Sequence, residues 1–278
     1  MKTVEITAQT QLIGSHPDDQ SLFAEWVTCE DLEATTTRKH RKLVENSEKR
    51  GIAIDGISEW IINHHVDEEK LKRLKKRKAI LQKHLLDKQA VGLPAADKTV
   101  KGNIAEIILA EYLQKTTGLK LFLYRLRYNP NINQSMKGDD VLLFNEANLC
   151  KKVIVGESKF RLTPGEAAVT EVTREFGGRI KLPLSIPFIA QVFRDRNNYE
   201  LADELEQLNS ILHLGKTEIV NVGFLLSNHN SAKHVEKHLI SNNPNFIFIS
   251  LGLQEPGAFI YNSIKMVEEK LKGYQNEN

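Results

Sequence analysis

From Asp67 to Lys88 the chain sets Leu71, Leu74, Ile80, Leu81 and Leu85 at spacings near three and four among Lys and Arg, which predicts an amphipathic helix. Its acidic start, Asp67-Glu68-Glu69, and its basic body suit the helix dipole. Gly92 and Pro94 in VGLPAAD then break the pattern. A second helix is predicted over about 100–115, carrying Ile104, Ile107, Ile108, Ala110 and Leu113, with Gly118 as its stop. After it the period shortens. Leu119 to Tyr128 reads as a strand, NPNINQSMKG as a loop, and DDVLLF and KKVIVGESKF as two further strands. A helix is predicted over 164–179, with Thr163 as cap, Pro164 at the first helical position and Glu166 at the capping-box position. The remainder predicts a strand at 218–226, a helix at 231–240, a strand at 246–251 and a helix at 258–272.

This order of elements implies an α/β fold with a central mixed β-sheet flanked by helices. Residues 1–95 form a distinct N-terminal region, expected to be helical and basic, that binds a partner or DNA, and 96–278 form the second domain. At 278 residues, with 41% hydrophobic and 27% charged positions, the chain can bury a substantial core. Cys29 and Cys150 stand far apart and outside any CxxC spacing, so neither a disulfide framework nor a thiolate metal site is expected. The early acidic residues Glu5, Asp18, Asp19, Glu25 and Glu30 argue against a secretory signal. No apolar run reaches the length of a membrane-spanning helix, so a cytoplasmic protein without a membrane partner is expected. The net charge of +2 conceals two basic runs, RKHRK at 38–42 and KLKRLKKRK at 70–78. Lys72, Arg73, Lys75 and Lys76 in the second run are candidate DNA-phosphate contacts, although such a run also suits a solvated helix face.

One polar set resists explanation by packing. Asp140 opens the strand DDVLLF, and Glu157 and Lys159 interrupt the next strand, VIVGESKF. Alternation along a strand points Glu157 and Lys159 to one face, and pairing of the two strands brings Asp140 to them. Two carboxylates and an amine suit phosphodiester hydrolysis. A hard divalent cation, Mg²⁺ or Mn²⁺, would be held by Asp140 and Glu157, with the Ser158 carbonyl as a further ligand. Lys159 would position the nucleophilic water and stabilise developing charge. Glu106, embedded in the apolar stripe of KGNIAEIILAEYL, is the candidate for an additional metal or metal-water ligand, while Glu111 lies about 140° round the helix and is expected to face solvent. Asp139 is an alternative to Asp140. Arg174 and Arg179, after the ExK strand, are further candidate DNA contacts.

The ordered set of helix Glu, strand-opening Asp and next-strand ExK resembles the PD-(D/E)xK nuclease superfamily. Within it, KGNIAEIILAEYL, MKGDDVLLF and VIVGESKFR resemble the HamA family of the Hachiman anti-phage system. The resemblance implies a restriction-endonuclease-like core over 96–278. It further implies a metal-dependent deoxyribonuclease, with DNA as substrate, restrained by a HamB-like superfamily helicase in a hetero-complex. The motif residues fall on Asp140, Glu157 and Lys159, and the helix carboxylate on Glu106. No proline precedes Asp140, and no QxxxY element follows the ExK. The competing reading is a catalytically inactive nuclease-fold subunit that binds DNA and regulates a helicase.

Other signals carry less. His234 and His238 at i, i+4 lack the Glu of HExxH and are expected at the surface. His64 and His65 point in different directions and are assigned no metal. No GxxxxGK[ST] loop occurs, so the chain is not expected to hydrolyse ATP itself.

Overall fold

The computed structural model describes residues 6–73 and 92–273. Its spine is a six-stranded sheet in the order β1-β2-β6-β5-β4-β3, built from Val27–Asp31 (β1), His40–Glu45 (β2), Val141–Phe144 (β3), Lys152–Phe160 (β4), Glu218–Asn228 (β5) and Phe246–Leu253 (β6). The four inner strands β2, β6, β5 and β4 run parallel, and β1 and β3 close the two edges antiparallel. Every residue of β6, FIFISLGL, is buried, as are nine of the eleven in β5. Such unbroken apolar runs form where a parallel sheet is covered on both faces.

The covering helices divide by face. Arg50–His65 (α3) and Asp97–Thr117 (α4) pack on one side, joined by Pro256–Gly273 (α9) near the C-terminus. Val220, Val222, Phe224, Ile247 and Ile249 share their core. Glu166–Phe176 (α5), Ile186–Asp195 (α6), Tyr199–Ile211 (α7) and Ser231–His238 (α8) cover the other side with Val153, Val155, Leu225 and Phe248. Two short helices, Ala8–Ile13 (α1) and Leu22–Trp26 (α2), precede β1.

The mixed α/β class with a central sheet flanked by helices is the one the hydrophobic pattern implies. Several elements differ. Leu119–Tyr128 forms no strand: Lys120 makes a single bridge to Phe144, and Arg125–Tyr128 turns into a 3₁₀ helix. β3 is only four residues long, so the segment finds no ladder to extend. The helix expected from Pro164 begins at Glu166 with Gly165 as its N-cap, and no side-chain hydrogen bond caps it, from Thr163 or any other residue. The helices at 186–195 and 199–211 had not been foreseen. Nor had β1 and β2, which carry the sheet across the expected division at residue 95. Of the helix expected over 67–88, residues 68–73 are helical and the rest lies outside the described residues.

One close approach positions the site. Gly156 in β4 faces α4, and a Cβ there would stand 3.0 Å from Leu109 Cδ2 and 3.0 Å from Val141 Cβ. Its missing side chain lets α4 lie close to β4, and Glu106, one turn before Leu109, is carried in with the helix. Gly156→Val should therefore lower stability by about 1–3 kcal/mol through overpacking. Urea unfolding measures this, and an unchanged midpoint would show that Leu109 and Val141 yield.

Candidate active site

The shortness of β3 creates the site. Its ladder with β4 stops at Val141 opposite Gly156, so Asp140 and Glu157 meet just beyond the last paired residues. The preceding turn requires Gly138, whose φ of +113° is unfavourable for a side chain and where a Cβ would lie 2.6 Å from Ser185 Oγ. Asp139 and Asp140 then part company. Asp139 is buried, and its Oδ2 accepts from the amides of Leu184 at 2.7 Å and Ser185 at 2.8 Å, at the start of α6. Asp140 turns the other way. Its Oδ2 accepts from the Ser158 amide at 2.9 Å and the Ser158 hydroxyl at 3.1 Å, while its Oδ1 accepts from Arg125 Nη2 at 3.2 Å.

Glu157 and Lys159 share a face of β4, as alternation requires, and their side chains pair through Nζ and Oε1. Glu106 enters from α4 and is buried, with Arg125 donating to both its oxygens, Nε to Oε1 at 2.8 Å and Nη2 to Oε2 at 3.0 Å. Glu106, Asp140, Glu157, Ser158, Lys159 and Arg125 thus line a single cleft of about 590 Å³, joined at its rim by Lys98, Lys101 and Arg161. Arg125 is the residue the sequence reading missed. It lies in the segment read as a strand, where alternation of RLRY carried no sign that the chain would turn and deliver a guanidinium between two carboxylates.

The electrostatics follow from burial. Burial raises the Glu157 carboxyl to about 7, reinforced by Asp140 and opposed by Lys159. Burial likewise pushes Glu106 upward, with Arg125 pulling it back. Burial works against the charge on Lys159, yet its hydrogen bond to Glu157 and the nearby carboxylates hold its pKa above the usual lysine range. Among the described residues no group of three or more His, Cys, Asp or Glu side chains is arranged to hold a metal ion. Glu106, the expected extra ligand, has both oxygens engaged by Arg125 instead.

The remaining candidates lie elsewhere. Glu111 is not at the surface as expected: it is half-buried and pairs with His64 Nε2 at 2.7 Å. Lys72 and Arg73 are exposed, and Lys72 pairs with Glu68 and Glu69 on its own helix. Lys75 and Lys76 lie outside the described residues. Arg174 is exposed on α5, and Arg179 lines a separate groove with Ile180 and Leu182, so neither borders the cleft. His234 and His238 are half-buried on α8, and their rings stack 6.2 Å apart. Among the described residues no helix is long and apolar enough to cross a membrane.

Comparison with known proteins agrees over nearly the whole length. The family model described as HamA matches residues 21–267. The Hachiman protein HamA of Bacillus cereus is 40% identical over 269 residues, covering 96% of this chain and 97% of that protein.

The raised Glu157 carboxyl has a consequence for stability in metal-free buffer. Because the folded state holds this proton more tightly than the unfolded chain, the contribution is present at acid pH and lost as the pH rises through about 7. The thermal midpoint in EDTA should fall from about pH 5 to about pH 8, and Glu157→Gln should flatten that fall. An identical slope in the variant would assign the pH dependence to other groups.

Proposed function

The chain belongs to the HamA family, and from that premise we propose that it is a metal-dependent DNA nuclease whose centre is the notch at the end of β3. The observation that carries the reading is the convergence of Asp140, Glu157 and Lys159 from two strands onto one cleft, with Glu106 delivered from α4. The donor set fits a hard divalent cation. Mg²⁺ is commonly held by one or two carboxylates, with water and substrate phosphate completing its shell, and Asp140 and Glu157 provide two. A strand residue's amide and carbonyl leave on the same side, so the Ser158 carbonyl, like its amide, faces toward Asp140 and would be the further ligand. Burial, and after it the neighbouring Asp140, raises the proton affinity of Glu157, and a cation held there would offset both.

Bound there, Mg²⁺ or Mn²⁺ would polarise the scissile phosphate and acidify an attacking water. The rest of the chemistry belongs to this chain. Ser158 holds Asp140 in place through its amide and hydroxyl. Lys159, kept protonated beside Glu157, orients the nucleophile and stabilises the charge that builds on the phosphate. Lys98, Lys101 and Arg161 at the rim provide cationic contacts for the backbone of the DNA strand entering the cleft. Its relative in Bacillus cereus is a Hachiman protein, which supports a role in anti-phage defence; that the protein is the effector, restrained by a HamB-like helicase, is what the family resemblance implies.

The test is plasmid cleavage by the purified protein, alone and with the helicase, in Mg²⁺ or Mn²⁺. Glu157→Ala and Lys159→Ala should each reduce the rate on the order of 100-fold or more, with folding intact by circular dichroism. Cleavage that persists in both variants would overturn this centre. DNA binding without cleavage under every condition would instead favour a subunit that regulates the helicase without cutting.

A further inference from the structure

We propose that Arg125 is an internal counter-cation of this centre: its guanidinium occupies the meeting point of Glu106 and Asp140, and a divalent ion must displace it to recruit Glu106. The proposal rests on the reading of the cleft as a metal centre. It is carried by a single atom. Arg125 Nη2 lies 3.0 Å from Glu106 Oε2 and 3.2 Å from Asp140 Oδ1, two carboxylate oxygens delivered by different elements. Convergence of anionic oxygens from separate elements on one point is the arrangement of a cation site, and here it is filled by the protein's own cation. The Nε–Oε1 bond at 2.8 Å completes a bidentate clamp on Glu106, and Arg125 has only 12% of its side chain exposed.

Drawing the two carboxylates inward by about 1 Å would give the oxygen distances that Mg²⁺ demands. That contraction is blocked while the guanidinium stands between them. A competition follows from charge and space together: the three carboxylates Glu106, Asp140 and Glu157 are offset in all but one charge by Arg125 and Lys159. A divalent ion gains the carboxylates only by releasing Arg125, and its affinity is lowered by the strength of that clamp. The protein would thus meet a low metal concentration with its centre closed.

Mn²⁺ binding followed by the electron paramagnetic resonance of the free ion tests this without DNA. Arg125→Gln removes the competing charge and should tighten Mn²⁺ binding on the order of tenfold, with Arg125→Lys between the two. Adding Glu106→Gln to Arg125→Gln should abolish the gain, because Glu106 is the ligand that displacement releases. Equal or weaker binding in Arg125→Gln would overturn the proposal and make Arg125 a support for the carboxylates. Wild-type protein gives an independent reading should that variant fold poorly. With ¹⁵N-arginine labelling, the Arg125 Nε signal, identified by its loss in Arg125→Lys, should move toward that of a solvent-exposed arginine on saturation with Mg²⁺. A signal unmoved at saturation would also overturn it. Plasmid cleavage distinguishes the two readings. Mn²⁺ binding that depends on Glu157, with DNA cut and no gain in Arg125→Gln, defeats the Arg125 proposal alone. Absence of both metal binding and cleavage defeats the nuclease centre with it.

Discussion

The parallel ladder of β4, β5 and β6 is the constraint on which the rest of this structure depends. β5 is paired on both sides from Asn221 to Leu226 and buried there on both faces, so the backbone amides of that stretch must be satisfied by a neighbour and both its faces must be covered by helices. That requirement places α3, α4 and α9 on one side and α5, α6, α7 and α8 on the other. It also dictates where charge can exist. An ionised side chain on such strands needs a partner, and Glu157 and Lys159 pair with each other on the stretch of β4 that is joined to β5 but left open by β3.

That opening lies at the end of β3. An edge strand of only four residues leaves the C-terminal part of β4 without a neighbour on one side, and Glu157, Ser158 and Lys159 lie in that uncovered part. The gap is filled by polar groups that satisfy one another. Ser158 donates twice to Asp140, Lys159 pairs with Glu157, and Arg125 ties Glu106 to Asp140. Removing any one partner leaves a charge of the cleft uncompensated at low exposure, which is costly in a way that surface pairs such as Lys72 with Glu68 are not. The site is consequently held by its electrostatics as much as by its backbone.

Membership of the HamA family and the geometry of the cleft bear on different levels of function. The family relates nearly the whole chain to a Hachiman protein, and the cleft shows which charged side chains that chain brings together. The two also differ in what they say of Arg125. Nothing in the match to a family distinguishes this arginine from the others, whereas two carboxylates converging on one of its nitrogen atoms do.

Among the particular residues, Asp140, Glu157 and Lys159 were visible in the sequence because strand alternation is strictly local: two residues apart means one face, and a charge interrupting an apolar strand is conspicuous. Glu106 was visible for the same reason on a 3.6-residue period. The central strands and α4 followed from unbroken apolar runs and from the stripe in KGNIAEIILAEYL. Other features had no local signature. Whether Asp139 or Asp140 faces the cleft depends on Gly138 and on the amides of Leu184 and Ser185, some 45 residues further along the chain. Likewise, β1 and β2 are strands because β6 offers an edge to pair with, and Leu119–Tyr128 is not one because β3 is too short to extend it. The sequence by itself therefore determined which residues carry the charge and which runs must be buried, since both are properties of side chains at short range. Only the tertiary structure decided which charges meet, because the position of Arg125 between Glu106 and Asp140 depends on the approach of α4 to β4 over a glycine and on where one edge strand ends.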